Sequence, residues 1–76
     1  MDTYYWFRDG QFGEVEAYTW PDARTQIGNG KFVYDPTEHT DYHFCLLDET
    51  HGWMRIPRWA VPKEFLMRLV LLGVGI

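Results

Sequence analysis

The side chains best suited to chemistry sit in one short stretch: His39, Asp41, His43 and Cys45. On a single strand their alternate spacing would point all four to the same face. Zinc accepts imidazole, carboxylate and thiolate ligands alike. Positions i and i+4 of a strand, however, lie ~13 Å apart, so at most two neighbours can reach one ion, and a further ligand such as His51 would have to come from elsewhere. A solvated polar strand face with one small buried thiol explains the same pattern, and we expect no metal and no cofactor. Cys45 as a nucleophile has only His43 as a local base, and a same-face neighbour two residues along a strand is ~6–7 Å away, beyond hydrogen-bond reach. A half-buried strand cysteine is more often a small hydrophobe.

The remaining catalytic patterns are weaker. Glu14 and Glu16 form a carboxylate pair, but nothing in the sequence gives them the buried setting that raises a pKa for acid catalysis. Gly28-Asn29-Gly30 reads as a turn, because no phosphate-binding helix follows it. We therefore expect no enzyme. Arg55, Arg58, Lys63 and Arg68, interleaved with Trp53, Trp59 and Phe65, are the residue types of a single-strand nucleic-acid surface, which places that reading on residues 53–68.

Charge is the sharper feature. The chain has 76 residues and a formal net charge of −4. Residues 1–50 hold ten acids and three bases (−7), and residues 51–76 hold four bases and one acid (+3). Between Phe32 and Met54 there are five acids, Asp35, Glu38, Asp41, Asp48 and Glu49, and no Lys or Arg. Such a surface repels phosphate at long range and attracts a basic protein. Tyr5, Phe7, Phe12 and Tyr42 are the aromatic anchors expected beside it. The function expected is a non-catalytic protein–protein binding module, a small acidic inhibitor of a basic nucleic-acid-handling protein complex. The alternatives are a structural or assembly subunit with an aromatic oligomer interface, a homodimer among them, and the nucleic-acid module on residues 53–68.

Composition points the same way. Four Trp, five Tyr and five Phe substitute for size in a chain short enough to bury only roughly 60% of its extended surface. The lone Cys45 excludes an internal disulfide and fits a reducing compartment. The opening Met1-Asp-Thr-Tyr has no basic region or apolar run, so no signal peptide is expected, and the apolar stretch from Phe65 to Leu72 is short of the ~20 residues of a membrane span. The expectation is a cytoplasmic protein without a membrane partner. In size and composition the chain resembles the short, acidic, aromatic-rich proteins that phages and mobile elements use to inhibit host machinery. That resemblance implies an inhibitory binding role and assigns it to no particular residue.

These residues require elements to hold them. Asp9-Gly10 is a two-residue hairpin signal. It would place Arg8 opposite Gln11, Phe7 opposite Phe12, Trp6 opposite Gly13, Tyr5 opposite Glu14 and Tyr4 opposite Val15. Tyr4, Trp6, Val15 and Ala17 then form the better core face, with the Trp6 ring covering Gly13. Asn29-Gly30 predicts a second hairpin pairing Ile27 with Phe32, Gln26 with Val33, Thr25 with Tyr34 and Arg24 with Asp35. Its rival is a single-turn helix over Pro21–Ile27, started by Thr19 and ended by Gly28. Turn signals at 9–10, 20–23, 29–30, 35–38 and 48–52 predict an antiparallel meander.

At the C-terminus, Pro62 and Gly73 bracket a helix. Seven of its residues are apolar, too many for one stripe, so it should be covered on more than one side. The expected fold is a single α+β domain. It is a small antiparallel β-meander of five or six strands, open or barrel-like, over about 3–8, 11–19, 24–28, 31–35, 40–47 and 53–57. One C-terminal α-helix over about 62–72 completes it.

Overall fold

The computed structural model describes residues 1–38, 43–50 and 52–75. The first hairpin is built as its turn dictates. Asp9 and Gly10 take φ of 47° and 81°, the left-handed pair whose twist matches the flanking strands. They join β1 (Asp2–Arg8) to β2 (Gln11–Ala17), and the register runs from Arg8 opposite Gln11 to Asp2 opposite Ala17, with every expected pair in place.

The segment expected as a strand over 24–28 is instead the end of a helix, α1 (Trp20–Ile27), so the rival reading is the one realised, beginning one residue earlier than expected. Local and tertiary causes agree. Thr19 Oγ1 accepts a hydrogen bond from the Asp22 N–H at 3.3 Å, Pro21 lies in the first turn, and the Gly28 N–H closes the last turn on the Arg24 carbonyl. Ala23 and Ile27, four apart, are both buried, a helical stripe where a strand needs period two. Asn29-Gly30 is therefore a link from helix to strand, and the hairpin pairing of 24–27 with 32–35 does not form.

The chain continues through β3 (Lys31–Tyr34), β4 (Phe44–Asp48), β5 (Gly52–Ile56), a 3₁₀ turn (Arg58–Ala60) and α2 (Lys63–Leu71). All five strands form one antiparallel sheet in the order β2-β1-β3-β4-β5. Successive neighbours β3, β4 and β5 make a meander, while α1 carries the chain across β1 to its far side. The sheet stays open, with β2 and β5 as its edges. Of the strand expected over 40–47, the part from 40 to 42 lies outside the described residues.

Both faces of the sheet are covered. On one, Tyr4, Ala17, Val33 and Leu47 pack against Ala23 and Ile27 of α1, with Trp6, Val15, Trp20 and Trp53 around them. This is the face expected as core. On the other, Phe7, Tyr34, Phe44 and Ile56 pack against Phe65 and Leu69 of α2, with Tyr5, Phe12 and Phe32 at the margin. The helix ends in a Schellman arrangement. The Gly73 N–H donates to the Val70 carbonyl and the Val74 N–H to the Leu69 carbonyl, and Val74 packs on the same cluster.

Covering on more than one side is not achieved among the described residues. Met67, Val70, Leu71 and Leu72 are exposed at 65%, 59%, 82% and 57%. At 100° per residue, Met67, Val70 and Leu71 lie opposite Phe65 and Leu69. No helix among the described residues is long and apolar enough to cross a membrane.

Candidate functional site

The acids expected to form one docking surface have separate occupations. Asp35 is buried, and its Oδ1 accepts hydrogen bonds from the Thr37 N–H at 2.8 Å and the Thr37 hydroxyl at 2.6 Å. This is the side-chain turn that an Asp-Pro-Thr sequence favours. Its backbone joins in: the Asp35 N–H donates to the His43 carbonyl, and His43 Nδ1 lies 3.1 Å from the Asp35 carbonyl oxygen. Asp35 is a structural carboxylate. Glu38 pairs with Arg55 at 2.6 Å, tying the 35–38 turn to β5. Asp48 accepts from the Thr50 N–H at 3.2 Å, and Glu49 beside it is exposed. Asp41 and Tyr42 lie outside the described residues.

Three of the aromatic anchors also have other roles. Phe7 is buried and stacks on Phe65 with centroids 5.6 Å apart. Phe12 meets Phe65 edge-on at 5.9 Å, stacks on Tyr5 at 5.8 Å and carries the Arg68 guanidinium over its ring. The reason is the second covered face: α2 sits where these rings were expected to meet a partner. Tyr5 stays at the margin of the cluster, directly across from Glu14.

A different acidic feature stands out. Glu14 and Glu16 are exposed on β2, two residues apart on one face of an edge strand. Neither carboxylate has an ionic or hydrogen-bonded partner among the described residues. The alternation of β2 was the signal that could have found them, since an outward-facing i, i+2 acid pair is a common device of edge strands.

The candidate metal set is not assembled among the described residues, where no three His, Cys, Asp or Glu side chains come together. His39, Asp41 and His51 lie outside them, and the His43 ring stacks on Tyr34. Cys45 is 2% exposed. Burial, with a smaller contribution from the charge of Asp35, pushes its thiol from the ordinary 9.0 up to about 12. The species at neutral pH is a protonated, enclosed thiol, the opposite of an activated nucleophile.

Two results follow from that burial. Iodoacetamide at pH 8 should leave the native protein unmodified and alkylate it fully in guanidinium chloride; rapid alkylation of the native chain, read by mass spectrometry, would contradict the enclosed thiol. Burial also raises the phenols of Tyr4 and Tyr34. For all three groups the folded state holds its proton longer than the unfolded chain does. For Cys45 the stabilisation is complete below about pH 9 and is lost as pH rises through the 9–12 window, and the two phenols add to the same loss above their ordinary 10.0. Alkaline denaturation midpoints should shift downward there, and a flat profile would count against the burial of these groups.

The bases and rings of residues 53–68 are divided between the two faces. Trp53 meets Trp20 edge-on at 5.5 Å, and the guanidiniums of Arg24 and Arg55 lie over its ring. Phe65 is fully buried. Trp59, 87% exposed, is the ring of this segment left open for stacking. Comparison with protein families, with curated proteins and with solved structures finds no match.

Clefts indent the surface among the described residues. One, of about 350 Å³, is lined by Pro21, Arg24, Thr25, Gly28, Asn29, Leu47 and Gly52. The other, of about 590 Å³, has Trp6 and Ile27 as its apolar walls and Arg8, Asp9, Gln11, Gln26 and Lys31 around them. In the second, Lys31 Nζ lies 5.1 Å from the centre of the Trp6 ring and donates to the Ile27 carbonyl. Neither cleft includes Cys45 or His43.

Proposed function

We propose that the chain is a non-catalytic protein–protein binding module, a small acidic inhibitor that docks on a basic, nucleic-acid-handling protein complex. The observation that carries this reading is the exposed Glu14–Glu16 pair, without partners among the described residues, on an open sheet edge beside Tyr5. Two like charges with no counter-ion among the described residues project a negative potential that speeds encounter with a basic surface. Tyr5 supplies a ring and a hydroxyl at the same place, the kind of residue that anchors an interface. The docking surface proposed here is the first hairpin in place of residues 35–49, with Glu49 as the exposed acid of the expected set among the described residues.

The test is affinity capture from source lysate with the wild-type chain, the double variant Glu14→Lys/Glu16→Lys and the single variant Glu49→Lys, each washed at low and high salt. One stoichiometric basic partner, released by salt and lost only with the double variant, is the expected result. Loss with Glu49→Lys instead would return the contact to the β4–β5 turn. Retention of the same partner by both variants would end the acidic-docking reading. The assembly-subunit alternative is weakened in its aromatic form, because Phe7, Phe12 and Phe65 pack internally and, among the described residues, the exposed large rings are Tyr18 and Trp59.

A further inference from the structure

Asn29-Gly30 makes no hairpin in this fold, and its chemistry is left over. Asn29 is the sole asparagine of the chain. It is exposed in the link between α1 and β3 and is followed by glycine. Asparagine is a chemically labile residue, and a following glycine, without a Cβ, leaves its side-chain amide the least hindered approach to the next backbone nitrogen. That nitrogen is not free. The Gly30 N–H donates to the Leu47 carbonyl at 2.7 Å, and before Asn29 the Gly28 N–H donates to the Arg24 carbonyl at 3.0 Å. Asn29 is thus held between two hydrogen-bonded glycines.

We propose that Asn29 is a deamidation site gated by the fold, closed while Gly30 is bonded to Leu47 and open once the link is released. The Gly30 nitrogen must give up its proton before it can attack Asn29 Cγ, and in the folded chain that proton is held by Leu47. When the link opens, the Gly30 nitrogen bonds to Cγ, the Cγ–Nδ2 bond breaks and ammonia leaves. Water then adds to either carbonyl of the five-membered imide. Breaking the Cγ–N bond gives aspartate, and breaking the main-chain bond gives isoaspartate. In both cases the ring nitrogen regains its proton.

The product differs from the parent in a defined way. The net charge goes from −4 to −5. Asn29 and Arg24 line the same cleft, and Arg24 Nε is buried there without a hydrogen-bond acceptor among the described residues. The aspartate form gains a carboxylate near that guanidinium. The isoaspartate form has one more carbon in the main chain ahead of Gly30, which displaces the N–H from Leu47. A chain that has once opened therefore carries a lasting mark of it. The inference is independent of the acidic edge, which lies on β2.

Incubation of the wild-type chain at pH 8, in buffer and in guanidinium chloride above its unfolding midpoint, tests it. Isoelectric focusing reads the charge, and mass spectrometry of the tryptic peptide 25–31 reads the site. The isolated peptide in the same two solutions corrects for any effect of the denaturant on the chemistry. The acidic form should accumulate at least about tenfold faster from the unfolded chain than from the folded one, and Asn29→Gln should abolish it in both. Isomerisation at Asp9-Gly10 changes neither mass nor charge and does not interfere. In the folded chain the Gly30 amide should be protected from hydrogen exchange. Equal corrected rates in the two solutions, or a Gly30 amide exchanging at the unstructured rate, would overturn the gate. An unfolded chain that stays unreacted, or an acidic form that persists in Asn29→Gln, would overturn the site.

Discussion

Phe65→Ala is expected to bring this protein to the edge of unfolding. The ring is fully buried and touches three strands at once: stacked on Phe7 of β1, edge-on to Phe12 of β2 and edge-on to Phe44 of β4. Truncating a ring in such a setting costs about 3–5 kcal/mol, from lost transfer energy and from the cavity left behind. A chain of this length has in total about 4–11 kcal/mol at ordinary stability per residue. The melting temperature should fall by at least about 15 °C. Leu69→Ala, which removes a smaller side chain from the same cluster, should cost less. A fall under about 5 °C for Phe65→Ala would mean that α2 is not what holds this face of the sheet.

Gly13→Val is the second large effect. A Cβ at position 13 would overlap the Trp6 indole, which lies flat across the glycine on the neighbouring strand. The indole cannot easily move aside, since Lys31 lies over it and the cluster under α1 surrounds it. Overpacking of this kind costs about 1–3 kcal/mol, more where backbone must shift, and it outweighs the sub-kilocalorie gain in strand preference that valine brings. The decisive measurement is a double-mutant cycle by urea denaturation. In a Trp6→Leu background the penalty of Gly13→Val should fall by more than half. Equal penalties in both backgrounds would show that the ring is not the cause.

What could be read in advance follows the distance over which each decision is made. The β1–β2 register depends on Asp9-Gly10 and on alternation within fifteen residues, and it was legible pair by pair. The α1 segment was not settled locally. Thr19 and Pro21 favour a helix, Asn29-Gly30 favours a hairpin, and the choice is made by Tyr4, Val33 and Leu47, which need Ala23 and Ile27 above them. The placement of β1 between β2 and β3 is non-local and left no mark in the chain.

The acids divide in the same way. The capping role of Asp35 toward Thr37 is implicit in Asp-Pro-Thr, two residues apart. The Glu38–Arg55 pair joins positions seventeen apart, so the stretch from Phe32 to Met54 looked more uniformly available than it is. The rings of Phe7 and Phe12 looked free for a partner because one helix was expected to cover one face, whereas two helices cover two.

The position of β1 also bears on how the chain reaches this state during synthesis or refolding. Its hairpin with β2 is local, with Asp2 opposite Ala17 at its open end, and can form in about 1–10 µs. Its opposite edge pairs Tyr5 with Tyr34 and Phe7 with Phe32, residues that arrive only after α1 has passed overhead. An early hairpin thus waits with one side unsatisfied, and the rate-limiting event should be the docking of β3 rather than the formation of any single turn. Substitutions in β3 such as Val33→Ala are then expected to slow folding, and those in the Asp9-Gly10 turn to act chiefly on how many chains start from a competent hairpin.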